Sequence, residues 1–415
     1  MGFVNPLMAI IISFCFLGLM LYKRVNLGIT LTATAIILAL LALQWETIPT
    51  VIYNTTSDLI TISIVLSTFE IMLLSQLYNE TGFIKRLSES LGKIIKNPKI
   101  VASVLPAVIG FLQVGGGALM SAPLVDSETG KIKLKTEKRA YVNLWFRHTI
   151  FPVYPLNQVL IVTAALTGIT VYAMILRQIP AVVVMIVVGY LIGFWKVSNP
   201  AKENTRTGDE LESNFKEFFT AFSPILTAIV AAVALDLAGF NLAKQGFDVL
   251  VAILAGIMVL VGTSKINLRA FMKPLKSWGL YGVTLAAYGA FLLKGVMTAT
   301  GISEIFQTFA LNENVNIILL LTAVPGILGF LTGSVSGGIA LSISILSGIL
   351  NNFTSGTATL IHMSCYLGYL IAPTHLCFAF TADYFKCSLS KIYRYLIPSF
   401  LLTFATSILT YYVLN

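Results

Sequence analysis

The chain states one pattern twice, and that duplication of a membrane segment restricts its possible folds more than any other feature. Pro106–Gly117 reads PAVIGFLQVGGG and Pro325–Ser336 reads PGILGFLTGSVS, so Gly110, Phe111 and Leu112 recur as Gly329, Phe330 and Leu331, 219 positions later. The same offset carries Thr81-Gly82 onto Thr300-Gly301, and an offset of 218 carries Pro6 onto Pro224. A second match follows each glycine-rich segment: YPLNQVLIVTA around Pro155 returns as APTHLCFAFTA around Pro373. Duplicated halves with Gly- and Pro-interrupted apolar segments at corresponding positions point to a secondary transporter and to its binding site.

With 57% hydrophobic residues, 11% charged residues and a mean hydropathy of +0.87, the chain is too apolar for a water-soluble globule. Ten apolar stretches have the length that spans a bilayer: 4–22, 27–44, 59–78, 141–163, 169–195, 217–236, 247–263, 279–298, 357–382 and 393–413. The net charge of +9 does not indicate nucleic acid, because the basic residues cluster in alternate loops. Of 27 Lys and Arg, all but Arg147, Arg177, Lys244 and Lys294 fall in those loops. Under the positive-inside rule the basic loops are cytoplasmic and both termini lie outside.

That sidedness decides the nature of the two glycine-rich stretches. Basic segments flank 101–125 on both sides, so this stretch enters and leaves on one face, and 315–350 does the same from the other face. Both are expected to be re-entrant hairpins. Five crossings per half then make the second half an inverted copy of the first. The expected organisation is repeat one over 1–195 (spans 1–5), a polar cytoplasmic linker over 196–215, and repeat two over 216–415 (spans 6–10). Before the first hairpin, Phe83, Ile84, Leu87, Leu91, Ile94 and Ile95 share a helical face opposite Lys85, Arg86, Lys93 and Lys96, which predicts an amphipathic surface helix. A shorter copy is expected over Ile302–Ala310.

Within hydrocarbon, non-helical backbone is tolerated only where it is buried in protein or lines a wet cavity. Four such places are expected: the tips around Gln113, Gly115, Gly116 and Gly117 and around Ser334, Ser336 and Gly337, and the breaks at Pro152 and Pro155 and at Pro373. Helix N-termini freed there present partial positive charge to a solute. Arg147 and His148 lie just before the first break, and a buried Arg suits a carboxylate or phosphate. Arg147 faces either an anionic substrate or Glu70, the carboxylate in the middle of the third span, which is also a candidate carrier of a coupling proton. His375 stands where the first half has Asn157, and Thr374 precedes it. With Gln113, Ser334 and Ser336, these neutral oxygen and nitrogen donors suit a solute or Na⁺. Cys15, Cys365, Cys377 and Cys387 have no ligand spacing and read as packing residues. No metal or organic cofactor is expected, only Na⁺ or H⁺ as a coupling ion.

The order of parts resembles the ion transporter superfamily of secondary carriers. VGGGALMSAPLVD, FRHTIFPVYPLNQ and GYLIAPTHLCF are most similar to the integral membrane family catalogued as domain of unknown function 401. The resemblance implies a mobile transport domain built from the hairpins and spans four, five, nine and ten. The other six spans would form a homodimeric scaffold, and solute would cross by an elevator motion. The tips Gly115-Gly116-Gly117 and Ser334-Val335-Ser336 depart from the Ser-Asn-Thr of dicarboxylate symporters, so their specificity does not carry over. The expected protein is thus a multi-pass carrier of a small anion in a prokaryotic plasma membrane, with the lipid bilayer and a second copy as partners. The competing readings are an anion channel and an intramembrane enzyme. The latter is disfavoured because no HExxH motif, no paired GxGD-type aspartates and no Ser-His spacing falls within the spans.

Overall fold

A computed structural model describes residues 4–23, 25–112, 117–198, 208–238, 247–301, 316–350 and 352–414. These residues are helical, with no strand among them. In chain order the helices are α1 (Pro6–Tyr22), α2 (Leu27–Ala42), α3 (Ile48–Ser57), α4 (Leu59–Glu80), α5 (Phe83–Ile94), α6 (Pro98–Gly110), α7 (Gly117–Lys131), α8 (Thr136–His148), α9 (Gln158–Thr167) and α10 (Val171–Phe194). They continue as α11 (Gly208–Leu237), α12 (Phe247–Ser264), α13 (Leu268–Met272), α14 (Trp278–Ala299), α15 (Ile317–Thr332), α16 (Val335–Leu346), α17 (Ser355–Leu370), α18 (Leu376–Tyr384) and α19 (Leu389–Leu414). The starts of α4, α6 and α8 are echoed 219 residues later by α14, α15 and α17. Among the described residues, seven segments are long and apolar enough to cross a bilayer, counting α8 and α9 together, and five shorter apolar helices accompany them.

α6 packs against α7, and α15 against α16, as two helical hairpins. At 1.5 Å per residue each arm reaches about 18–25 Å, short of a hydrocarbon core of about 30 Å. The helical arms extend beyond the expected limits of the first hairpin. At the second tip the non-helical interval is shorter than the glycine count suggests. There α15 ends at Gly333, whose φ of 58° needs no Cβ, and α16 resumes at Val335 because Ser334 caps it by accepting from Gly337 N at 3.3 Å.

The two halves interlock. α7, the returning arm of the first hairpin, packs on α18, while α16, the returning arm of the second, packs on α9. A large core gathers α4, α8, α10 to α12 and α16 to α19, and a second one joins α1, α2, α14 and α16. Glycine permits the closest approaches: a Cβ on Gly110 would meet the Arg147 carbonyl oxygen at 2.6 Å, and one on Gly329 would run into the carbonyl oxygen of Cys365. Arg147 and Cys365 are matching positions of the repeated pattern, so each hairpin touches its own interrupted helix in the same way.

α5 is amphipathic as expected, burying Phe83, Ile84, Leu87 and Leu91 and resting on α11. Two features were not anticipated. α3 forms in the charge-poor segment between the second and third expected spans, and Lys133, Lys196, Lys265 and Lys386 all adopt left-handed backbone with φ of 49–56° just past helix C-termini. Glycine is the usual occupant of that position. All four lysines belong to the basic loops, where a cation also offsets the negative end of the helix dipole. The expected surface helix at Ile302–Ala310 and residues 199–207 of the linker lie outside the described residues.

Candidate functional site

The site begins with the reason α8 stops. Its last nine residues, Ala140–His148, are all buried, and Thr149–Asn157 then contains Pro152 and Pro155, which cannot donate to a continuing helix. Pro152 sits in a short 3₁₀ turn, Phe151–Val153, before α9 starts. α17 and α18 are broken in the same way by Ile371–His375, with Pro373 inside. The buried end of α8 is fixed from several sides. Trp145 Nε1 donates to Met185 O at 2.8 Å across a gap that exists because residue 189 is glycine. Asn143 accepts from Ser121 Oγ at 2.6 Å and donates to Ala118 O and to Thr381 Oγ1, both at 3.1 Å, joining α7, α8 and α18.

Arg147 is 1% exposed, yet its guanidinium makes a single hydrogen bond, from Nη2 to Leu112 O at 3.3 Å; Nε and Nη1 have no partner. The group lies directly against Gly117, the first residue of α7, where any Cβ would collide with it. A cation and a helix N-terminus are therefore aimed into the same small volume, the usual makings of an anion site. Buried charged donors without partners are costly, at several kcal/mol for an ion that nothing compensates. The alternative partner is not used: no ion pair joins Arg147 to Glu70, and Glu70 Oε2 is itself buried without a hydrogen bond. A small cavity of about 10 Å³ lies between the first tip (Phe111, Leu112), the break (Tyr154, Leu156) and Ile71 and Ser75 of α4, one residue and about one turn beyond Glu70.

Beside Arg147 the two breaks meet in a ring cluster. His148 and His375, both 0% exposed, lie edge to face with centroids 4.8 Å apart, and Tyr369 packs on His375 at 4.0 Å. Tyr366 donates its hydroxyl to the His148 carbonyl, and Phe151 meets the His148 ring edge-on at 5.2 Å. A ring nitrogen of each histidine and the Cys377 sulfur lie within 4.8 Å of one another.

Of the residues expected at the site, Gly117, Arg147, His148 and His375 come together here. Gln113, Gly115 and Gly116 lie outside the described residues. Asn157 Oδ1 is committed to capping α9, accepting from Val159 N at 2.9 Å and Leu160 N at 3.0 Å, so this oxygen does not face a solute. Its counterpart His375 caps nothing with its side chain, which turns instead to His148. Ser334, Ser336, Gly337 and Thr374 group at the second tip: Gly333 abuts Thr374, and Gly337 abuts Leu27 of α2. Lys294 donates to Leu166 O at 2.6 Å near the C-terminus of α9. Asn143, Tyr366, Tyr369 and Cys377 were not expected at the site. One signal was available: Tyr366 follows His148 by 218 positions, as Tyr369 follows Phe151, the interval that also carries Pro155 onto Pro373.

Comparison with known proteins gives structural likenesses and a family likeness. A search of curated proteins finds no match. Among solved structures the fold is similar to that in the "Crystal structure of the Alcanivorax borkumensis YdaH transporter", with a TM-score of 0.65, 13% identity, and 95% of this chain and 97% of that one covered. The match and the apolar helices make this a multi-pass helical membrane protein. The profile of a family described as "Protein of unknown function (DUF401)" matches residues 6–414, and the chain accordingly belongs to the DUF401 family.

Proposed function

We propose that this protein is a secondary active transporter of a small anionic solute, coupled to Na⁺ or H⁺ and working by an elevator motion. The carrying observation is Arg147, a fully buried guanidinium with two unpartnered nitrogens beside the N-terminus of α7. A group of that kind is expected where a bound anion completes its hydrogen bonds. Support for the transport class comes from the likeness to a structure titled as a transporter and from paired hairpins packed against paired broken helices.

In this reading the ten expected spans form two inverted repeats, 1–195 and 216–415, joined by the cytoplasmic linker 196–215, with both termini outside a prokaryotic plasma membrane. The hairpins and the broken helices move together. α1, α2, α4, α11, α12 and α14 form the scaffold that pairs with a second copy. Glu70, whose Oε2 is buried without a hydrogen bond one residue before Ile71 of the small cavity at the first tip, carries the coupling proton. The protein acts as a carrier and not as an enzyme.

Thermal stabilisation of the purified protein by a panel of carboxylates, phosphate, sulfate and sugar acids, with and without Na⁺, tests the reading. A ligand at 100 times its Kd adds about 2.7 kcal/mol to the folded state. One anion class is expected to stabilise the wild type and to accumulate in proteoliposomes down an imposed Na⁺ or H⁺ gradient. Stabilisation by no anion, in protein shown to be folded, would sink the anionic assignment. Flux that neither saturates nor follows a coupling gradient would sink the carrier assignment.

A further inference from the structure

We infer that His148, His375 and Cys377 form a binding site for a borderline-soft transition-metal cation, with Zn²⁺ as the defining probe. The argument starts from what each side chain has left to offer. His148 Nδ1 lies 2.7 Å from Leu144 O and His375 Nδ1 lies 3.5 Å from Leu370 O. A carbonyl can only accept, so these contacts favour the tautomer with the hydrogen on Nδ1 and the lone pair on Nε2, strongly in His148 and weakly in His375. Both Nε2 atoms are buried and without a partner. An imidazole whose Nδ1–H is anchored on a backbone carbonyl, with Nε2 free, is the arrangement that metal-ligating histidines adopt.

The third ligand comes from Cys377, two residues after His375, in the first turn of α18. One ring nitrogen of each histidine and the Cys377 sulfur fall within 4.8 Å of one another. Around a zinc ion with bonds of about 2.0–2.3 Å, donor atoms stand roughly 3.3–3.8 Å apart. The cluster reaches that spacing by a contraction of about 1 Å, within the range of small side-chain rotations. Two imidazoles and a thiolate select zinc or copper over hard cations such as Mg²⁺ and Ca²⁺. Arg147 precedes His148 and disfavours a second cation nearby. The thiolate formed when Cys377 gives its proton to solvent offsets that, lowering the charge of a bound Zn²⁺ complex to +1. Three protein ligands leave the fourth position of the metal for an external ligand.

The ligands come from both breaks, His148 from the first and His375 with Cys377 from the second. A bound ion would tie the two interrupted helices together at their closest point. This goes beyond the transport reading and does not depend on it, so Arg147→Gln is expected to leave metal stoichiometry unchanged.

The test uses the full-length protein in detergent, stripped with EDTA, with separate samples titrated with Zn²⁺ and with Co²⁺. The expected result is one metal per chain, with an intense thiolate-to-Co²⁺ charge-transfer band. Zinc K-edge absorption fine structure on the wild type should show sulfur near 2.3 Å and nitrogen near 2.0 Å, the bond lengths these ligands make. Cys377→Ser should abolish the charge-transfer band, His375→Gln should weaken Zn²⁺ binding at least tenfold, and Cys387→Ser should change neither. A wild type that binds no stoichiometric Zn²⁺, or a zinc shell of oxygen and nitrogen alone, overturns the site; these readings need no variant to fold. Unaltered binding in Cys377→Ser overturns it as well.

Discussion

Two glycines 7 residues apart in the first hairpin should respond to the same substitution in opposite ways. A methyl group on Gly110 would stand 2.6 Å from the Arg147 carbonyl oxygen and 3.0 Å from Ile150 Cγ2. The first obstacle is backbone, so α6 must move off α8 by roughly 0.8 Å to reach an ordinary contact distance. Overpacking of this kind costs about 1–3 kcal/mol. Replacing a helical glycine returns about 0.5–1 kcal/mol, which leaves Gly110→Ala about 1–2 kcal/mol less stable. At Gly117 the obstacle is the guanidinium tip of Arg147, the far end of a flexible side chain. Gly117→Ala should therefore swing the guanidinium aside at a stability cost within about 1 kcal/mol. What it loses is anion affinity, by about 10- to 100-fold, since a hydrogen bond to a charged group contributes about 1.5–3 kcal/mol. Thermal unfolding with and without the stabilising anion separates the two effects. Gly110→Ala should melt early in both conditions, and Gly117→Ala should melt like wild type without anion but gain little from it. Equal behaviour of the two variants, or a collapse of Gly117→Ala with Gly110→Ala unaffected, would refute the reasoning.

Arg147→Gln should remain folded and monodisperse while losing all anion-dependent stabilisation; retention of that stabilisation would remove Arg147 from the site. Asn143→Leu breaks the bonds to Ser121, Ala118 and Thr381 together. Hydrogen bonds within membranes average about 0.6 kcal/mol with a maximum near 1.7, so the expected loss is about 1–3 kcal/mol by thermal unfolding, and an unchanged melting curve would count against the three-helix link. Glu70→Gln should bind the anion normally in the thermal assay but lose gradient-driven accumulation in proteoliposomes. Accumulation driven equally well by a proton gradient in this variant would exclude Glu70 as the coupling group.

The parts of the fold legible in the sequence were those that punctuation dictates. Prolines at 152, 155 and 373 break their helices, although those at 106, 123, 180, 224, 325 and 398 lie inside helices that continue, and the glycine-rich runs that recur after Gly110 and Gly329 mark where chain must turn or approach closely. The spacing of Phe83, Leu87 and Leu91 placed one face of α5 against protein. What stayed hidden depends on the direction of individual side chains. Asn157 and His375 occupy matching places, but whether such a residue caps its own helix or turns inward is decided by neighbours more than 200 positions away. Cys377 carries no ligand spacing with His148 because those two meet across the halves. Lys99 belongs to a basic loop by sequence but is 7% exposed, its Nζ donating to Val197 O at 2.7 Å beyond the end of α10. A charge pattern places such a residue on a side of the membrane and says nothing about which carbonyl it will find.

The bonds that tie α8 to the later helices also bear on how the chain is made. Asn143 waits for Thr381, the His148 carbonyl for Tyr366, and Tyr141, 2.5 Å from Ser399 Oγ, for a residue still further along. At about 5–20 residues per second, the ribosome needs on the order of 10–50 s between Asn143 and Thr381. During that interval Asn143 has only its α7 partners, Ser121 and Ala118, and the Tyr141 hydroxyl and His148 carbonyl lack the partners they have in the finished fold. The newly made first half should therefore be held by the insertion machinery or by an attendant chaperone, and should be degraded when synthesis stops after α10. Folding of this protein is committed only when its last two helices arrive.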